Sequence, residues 1–108
     1  MRVLVYEENL IWASRLAQSL RGLGHEPVVH STPVVQEAPL AIVNLGSPWF
    51  AELTPKLNEL GVRVIGHAGH REKELLELGH AAGCQIVATN SEITYKIEAL
   101  IARATDGA

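Results

Sequence analysis

Polar side chains that could bind a metal ion follow several short apolar runs of the sequence. Glu7 and Glu8 come directly after the first run, and Asn44 stands near the end of another. Carboxylate and amide oxygens are ligands of hard cations such as Mg²⁺. His67 and His70 lie further along, and imidazole together with carboxylate is a ligand set that Zn²⁺ accepts. The residue types therefore suggest two metal hypotheses: Mg²⁺ at Glu7, Glu8 and Asn44, or Zn²⁺ at Glu7, Glu8, His67 and His70.

Each of these residues also has an ordinary structural interpretation. An acidic residue at Glu8 suits the start of a helix, because negative charge there is stabilised by the helix dipole. His70 would begin a further helix, and His67 would pack at the rim of the same region. Two histidines three positions apart in a loop are weak evidence for zinc. We therefore expect no cofactor, and keep Mg²⁺ and Zn²⁺ as alternatives.

The sequence contains no arrangement of nucleophiles that is typical of an enzyme. Cys84 is the single cysteine, and without a partner cysteine or an adjacent base such a residue usually packs in the core. The serines do not lie in the Gly-x-Ser-x-Gly turn of the hydrolases. No glycine-rich phosphate loop follows the first apolar run. The sequence thus favours a protein that is not an enzyme.

The elements that must position these side chains alternate between strands and helices. Short apolar runs predict strands at Arg2–Tyr6, Pro27–His30, Pro39–Leu45, Val62–Gly66 and Gln85–Ala88. Amphipathic stretches predict helices over residues 10–23, 47–60, 70–82 and from 90 onwards, with a kink or an early break at Pro55. This alternation is typical of a parallel sheet with helices on both faces.

One helix of the regular alternation is missing. Only Ser31–Ala38 connects the second and third strands, whereas a parallel crossover usually needs about a dozen residues or more. The strand count and chain length fit the flavodoxin-like order 2-1-3-4-5. We therefore predict a single three-layer α/β domain over residues 1–108, with its second helix absent or reduced to a turn. Ligands of such sheets bind beyond the carboxyl ends of the strands, where the polar residues above would share one shallow pocket.

Four segments have an order and spacing that match one known family. They are Tyr6–Asn9 with its acidic pair, the apolar run Ala41–Leu45, the strand Arg63–Gly66, and the Ala-Ala-Gly-Cys segment Ala81–Cys84. Over essentially its whole length the chain resembles the receiver domain of bacterial two-component response regulators. The resemblance implies an aspartate that accepts a phosphoryl group at the end of the third strand. It also implies an acidic pair that binds Mg²⁺, a Ser or Thr after the fourth strand, and a Lys after the fifth.

The sequence departs from this pattern at most of the functional positions. Asn44 stands at the phosphoacceptor position, and a neutral amide cannot form the acyl phosphate. The hydroxyl position falls near Ala68 and the lysine position at Ala88 or Thr89, so only Glu7 and Glu8 persist. The resemblance then implies a pseudo-receiver: a regulatory signalling domain that is not phosphorylated and acts by binding proteins. The alternatives are an atypical receiver phosphorylated at another residue, and a flavodoxin-like domain that binds a metal or a small molecule.

Four apolar residues are candidates for a protein interface. Trp12 and Trp49 are predicted in the first turns of their helices at the pocket rim, and large aromatic side chains often anchor partners. The absent second helix would uncover part of one sheet face. Val34 and Val35 would fold over that face, or a partner would cover it. We therefore expect either a protein partner or self-association.

Composition excludes several classes of protein. Of 108 residues, 47% are hydrophobic and 19% are charged, which is typical of a globular domain rather than a disordered chain. The net charge of −3 and the lack of a basic stripe argue against nucleic-acid binding. No stretch reaches the roughly 20 apolar residues of a membrane helix. Acidic residues interrupt the first apolar run too early for a signal peptide, which predicts a cytoplasmic protein.

Overall fold

The computed structural model describes residues 1–106 as strands and helices in alternation. Strands β1 to β5 comprise Arg2–Tyr6, Glu26–His30, Leu40–Asn44, Arg63–Ala68 and Ile86–Thr89. Helices α1 to α5 comprise Leu10–Gly22, Phe50–Glu59, Lys73–Ala82, Asn90–Tyr95 and Ile97–Asp106. Within this part of the chain, no helix is long and apolar enough to cross a bilayer.

The strands form one parallel sheet in the order β2-β1-β3-β4-β5. This confirms the predicted flavodoxin-like order. One face packs against α1, α4 and α5, and the other packs against α2 and α3. Because the central strands are covered on both faces, runs such as Val3–Tyr6 and Leu40–Val43 are fully buried and apolar throughout.

The connection between β2 and β3 contains no helix, as predicted. We call residues 31–39 the strap. The strap crosses the end of β1, where the Tyr6 side chain is fully buried and its hydroxyl donates to the Val34 carbonyl at 2.6 Å. The His30 ring stacks on Tyr6, and His30 Nε2 lies 2.8 Å from Gln36 Oε1. Burial raises the pKa of Tyr6 to about 12. These contacts close the sheet face where a helix would otherwise lie.

The last helical stretch is two helices, not the single predicted one. The Thr89 hydroxyl accepts the Glu92 N–H and the Glu92 carboxylate accepts the Thr89 N–H, which makes a capping box at the start of α4. Lys96 leaves the helical conformation, with φ of −128°, and separates α4 from α5. Thr89 caps α4, so the Asn90 side chain is available for other contacts.

Two other helices begin later than predicted. The Ser47 hydroxyl donates to the Asn44 carbonyl instead of capping a helix, and α2 begins at Phe50. His70 belongs to a turn that precedes α3, so it does not begin that helix. The predicted break at Pro55 is also wrong. Pro55 lies on the exposed side of α2, and buried residues on the opposite side hold the helix against the sheet.

Cys84 lies in the core, as the sequence suggested. The residue is buried, and burial raises the pKa of its thiol to about 11. The thiol is therefore protonated at neutral pH and is a poor nucleophile.

Candidate functional site

Four polar side chains form a row along the carboxyl end of the sheet. Glu7 and Asn90 follow β1 and β5, Asn44 ends β3, and His67 is the last residue but one of β4. We call these four residues the polar row. The register pairs Asn44 with His67 on adjacent strands. Side chains alternate between faces along a strand, and two positions earlier on these strands stand core residues of one face: Val5, Ile42, Ile65 and Ala88. The polar row therefore continues this apolar face where the strands end.

Glu7 and Asn44 form the first pair of the polar row. Asn44 Nδ2 donates to Glu7 Oε1 at 2.9 Å and to Oε2 at 3.0 Å. The Asn9 N–H also donates to Glu7 Oε2, and Asn44 Oδ1 accepts the Gly46 N–H at 2.8 Å. The Glu7 side chain is only 3% exposed. Neutral donors thus satisfy this buried carboxylate, and the amide protons of Asn44 face the oxygens that a cation would need.

His67 and Asn90 form the second pair. His67 is 2% exposed, and its Nδ1 lies 2.8 Å from Asn90 Oδ1. With Asn90 Oδ1 as the acceptor, Nδ1 carries the proton, and the buried Nε2 has no hydrogen-bond partner among the described residues. Burial lowers the pKa of His67 below its ordinary value of 6.5, and the Asn90 hydrogen bond and the Glu7 charge oppose that shift. The Trp12 ring lies beside this imidazole, with 6.3 Å between the ring centroids.

Two predicted pocket residues lie one position away from the row. Ala68 is buried and packs into the core cluster of the opposite sheet face. Thr89 caps α4. On the face of the polar row, His67 and Asn90 are the residues that β4 and the end of β5 contribute. Asn90 was missed as a site residue, although its spacing of two from buried positions on β5 carried the signal.

The structure does not assemble the predicted zinc ligands. Glu8 and His70 are exposed, whereas Glu7 and His67 are buried and hydrogen-bonded to Asn44 and Asn90. Within residues 1–106, no three His, Cys, Asp or Glu side chains lie close enough together to hold a metal ion. A Mg²⁺ ion, which the receiver resemblance implies, does not fit the Glu7–Asn44 pair in this arrangement. An amide donor occupies the carboxylate that the ion would bind.

The predicted interface residues fall into two groups. Trp12 packs beside His67, and Trp49 lies edge-on to Tyr6 with ring centroids 6.1 Å apart, so both indoles are half-buried. Val34 and Val35 are 47% and 43% exposed. The valines therefore do not fold down over the sheet. The contacts of Tyr6 with the strap backbone cover that surface instead.

Solved receiver structures match this fold over nearly its whole length. A CheY-like receiver domain protein from Methanospirillum hungatei is 18% identical, with a TM-score of 0.76 and coverage of 99% of this chain and 98% of the other. Chemotaxis protein CheY4 of Vibrio cholerae is 11% identical, with a TM-score of 0.80 and coverage of 95% and 97%. An orphan response regulator of H. pylori is 16% identical, with a TM-score of 0.77 and coverage of 96% of each chain.

These identities establish the fold alone. The chain has the parallel flavodoxin-like fold of CheY-like receiver domains, as the resemblance implied. No protein-family model matches the chain, and no curated protein matches it in sequence. The functional interpretation therefore depends on the polar row itself.

Proposed function

We propose that this chain is a pseudo-receiver: a regulatory signalling domain that is not phosphorylated and acts by binding another protein. The observation that carries the proposal is the pairing of Asn44 with Glu7. Both oxygens of the Glu7 carboxylate accept hydrogen bonds from the Asn44 amide. An amide nitrogen with its lone pair delocalised cannot attack a phosphoryl donor, so the position has neither a nucleophile nor a free cation ligand.

The second pair of the polar row supports the same proposal. A phosphoryl group would need cationic or hydroxyl donors around it. Here the neighbouring positions hold His67, which is buried, and Asn90, whose Oδ1 is engaged with the imidazole. Burial lowers the pKa of His67, which favours the neutral ring at pH 7. An uncharged imidazole and an amide would stabilise a dianionic phosphoryl group poorly.

Protein binding is the function left to a receiver fold that cannot switch by phosphorylation. Exposed apolar side chains near the end of β1 support this part of the proposal. Among the described residues, no three His, Cys, Asp or Glu side chains could hold a metal ion together, and the thiol of Cys84 is buried, so neither feature favours an enzyme. We place such a domain in the cytoplasm, where response regulators act.

An amide NMR map titrated with Mg²⁺ and then beryllofluoride tests the proposal. Beryllofluoride mimics the acyl phosphate at a receiver aspartate. The parent chain should show no saturable shifts at Glu7, Asn44 or His67. The Asn44→Asp variant is the matched control and should respond to Mg²⁺, because a second carboxylate replaces the amide donor. Saturable beryllofluoride shifts in the parent would overturn the proposal in favour of an atypical receiver.

A further inference from the structure

Several large apolar side chains are exposed around the carboxyl end of β1. Leu10 and Ile11 are 74% and 67% exposed, and Val34 and Val35 are also largely exposed. We call these four residues the apolar rim. Exposed apolar side chains scattered singly need no explanation, but a group of them at one end of a sheet marks an interaction surface.

The chain topology places both pairs of the apolar rim at the carboxyl end of β1. Leu10 and Ile11 begin α1 directly after the loop that leaves β1. The Val34 carbonyl accepts the hydrogen bond of Tyr6, the last residue of β1. The two pairs therefore flank the end of β1 from the two sides of the sheet.

A groove extends the apolar rim along α1. The groove lies between α1 and the edge strand β2 and has a volume of about 290 Å³. It is lined by apolar residues and by three polar ones: Leu10, Ala13, Ala17 and Val29, with Ser14, Gln18 and Arg21. Ala13 and Ala17 are one helical turn apart, so the groove could receive the side-chain ridge of another helix. Strand addition at this edge is disfavoured, because Pro27 of β2 has no N–H to donate.

The charged residues around the apolar rim indicate the charge that a partner should have. The segments that follow β1, β2 and β3 at this end are residues 7–9, 31–39 and 45–49, and they contain carboxylates but no Lys or Arg. Glu8 and Glu37 are exposed among them. Within residues 1–106 the only ion pair joins Arg2 to Glu26, so Glu8 and Glu37 have no cationic partner there. The part of this surface at the carboxyl end of the sheet is thus apolar and negative, and complementary to an apolar and positive segment. Arg21 lines the other end of the groove, about three helical turns from Leu10 along α1.

We propose that the apolar rim and its groove bind a basic amphipathic helix of a partner protein. The apolar face of that helix would cover Leu10, Ile11, Val34 and Val35, while its lysine or arginine side chains would face Glu8 and Glu37. The inference rests on the proposed protein-binding function and specifies the chemistry of the partner. A helix of this kind is recognised by apolar anchors one turn apart together with charge at the rim.

Two synthetic helical peptides test the proposal on the full chain. One is built from leucine and lysine, and the other has the same leucine positions with glutamate in place of lysine. The Leu–Lys peptide should bind saturably and shift the amide signals of the apolar rim and of Glu8 and Glu37. The Leu–Glu peptide should bind about tenfold more weakly or not at all.

Substitutions assign the site. Leu10→Ser with Val34→Ser should weaken the Leu–Lys peptide about tenfold, since a few apolar anchors carry most of the energy of an interface. Glu8→Lys with Glu37→Lys should weaken the binding of the Leu–Lys peptide and reduce the salt dependence of that binding. The control variant Leu60→Ser with Leu78→Ser removes exposed leucines elsewhere and should leave the affinity unchanged.

Three outcomes would overturn the proposal. They are equal binding of both peptides, shifts confined to another surface, or rim signals that shift with protein concentration in the absence of peptide. The last result would identify a second copy of this chain as the occupant. None of these outcomes bears on phosphorylation, so the beryllofluoride titration and the peptide titration can fail independently.

Discussion

Each pair of the polar row joins a buried side chain to a half-buried asparagine, yet the two pairs differ in how well their polar atoms are satisfied. In the Glu7–Asn44 pair, both carboxylate oxygens and the amide oxygen have hydrogen-bond partners. In the His67–Asn90 pair, Nδ1 has a partner but the buried Nε2 has none. One end of the row is thus a closed hydrogen-bond network, and the other holds an incompletely satisfied imidazole.

This difference makes the two pairs sensitive to different changes. At Glu7, the Asn44 amide donates to both carboxylate oxygens and so supplies hydrogen bonds where a cation could otherwise bind. At His67, the neutral ring is held by burial and one hydrogen bond. The first pair should therefore be sensitive to added charge at Asn44, and the second should be sensitive to protons at His67.

The largest expected effect follows from Asn44→Asp in the presence of EDTA. The substitution removes both hydrogen bonds to Glu7 and places two carboxylates in contact. It should lower the free energy of unfolding by about 3 kcal/mol. Mg²⁺ should restore much of this loss, because it binds the folded state only. Urea unfolding with and without Mg²⁺ measures both effects.

Asn9→Asp is the matched control for that substitution. Asn9 caps α1 by accepting the Ile11 and Trp12 N–H groups, and aspartate can accept them equally well. This variant should keep the parent stability and show no Mg²⁺ dependence. Equal stability of Asn44→Asp and the parent in EDTA would contradict the account of the Glu7–Asn44 pair.

The second effect is a loss of stability in acid that comes from His67. Because burial lowers the pKa of His67 in the folded state, only the unfolded chain takes up this proton just below pH 6.5. The contribution is absent above that pH and grows as the pH falls. It stops growing when the pH falls below the pKa of His67 in the folded state, and it amounts to at most about 1.4 kcal/mol one pH unit below the ordinary histidine value. Urea unfolding at pH 7.5 and 5.5 measures it.

His67→Leu isolates this contribution from those of the other histidines. Between pH 7.5 and 5.5 the variant should lose less stability than the parent. The difference between the two losses should equal the contribution of His67. An identical pH dependence of parent and variant would show that His67 titrates normally in the folded protein.

The third effect comes from the partner of His67. Asn90→Ala leaves both nitrogens of a buried imidazole without a protein partner, and it should destabilise the protein by about 1 kcal/mol at pH 7.5. Ser91→Ala, at the exposed neighbouring position, is the control and should have little effect. Thermal unfolding of the two variants checks the difference. A neutral Asn90→Ala would mean that the hydrogen bond contributes nothing.

The smallest effect is expected for His67→Leu itself at pH 7.5. The substitution removes an unsatisfied polar atom and leaves the half-buried Asn90 accessible to water. Its cost should stay below about 1 kcal/mol and below that of Asn90→Ala. If the same unfolding experiments show that His67→Leu costs more stability than Asn90→Ala, the imidazole is better satisfied by hydrogen bonds than its geometry indicates.

Most of the fold could be predicted from the sequence, and the polar row only in part. The apolar runs predicted the strands and their order, and the short segment Ser31–Ala38 predicted the missing helix. Both features depend on local length and burial. Glu7, Asn44 and His67 were recognised from their places after strands. Asn90 was missed because the sequence assigns it to the start of the last helix, and nothing local shows that Thr89 caps this helix and leaves the Asn90 side chain for His67.

Contacts between distant segments explain the remaining differences. Nothing local indicates that the Asn44 amide reaches Glu7, 37 positions away, or that Tyr6 reaches the strap backbone at Val34. Likewise, α2 begins at Phe50, later than predicted, because the Ser47 hydroxyl donates to the Asn44 carbonyl. In each case a polar side chain has several suitable partners, and tertiary packing chooses among them.

Incubation with acetyl phosphate and Mg²⁺, followed by intact-mass analysis, tests the central claim most directly. The parent chain should gain no phosphoryl group. A solved CheY-like receiver treated alongside should gain one. Asn44→Asp with Asn90→Lys, which adds a carboxylate and an ammonium group to the polar row, should gain more than either single variant. A phosphoryl group on the parent chain, located at Glu7, Glu8 or any other residue, would contradict the pseudo-receiver account.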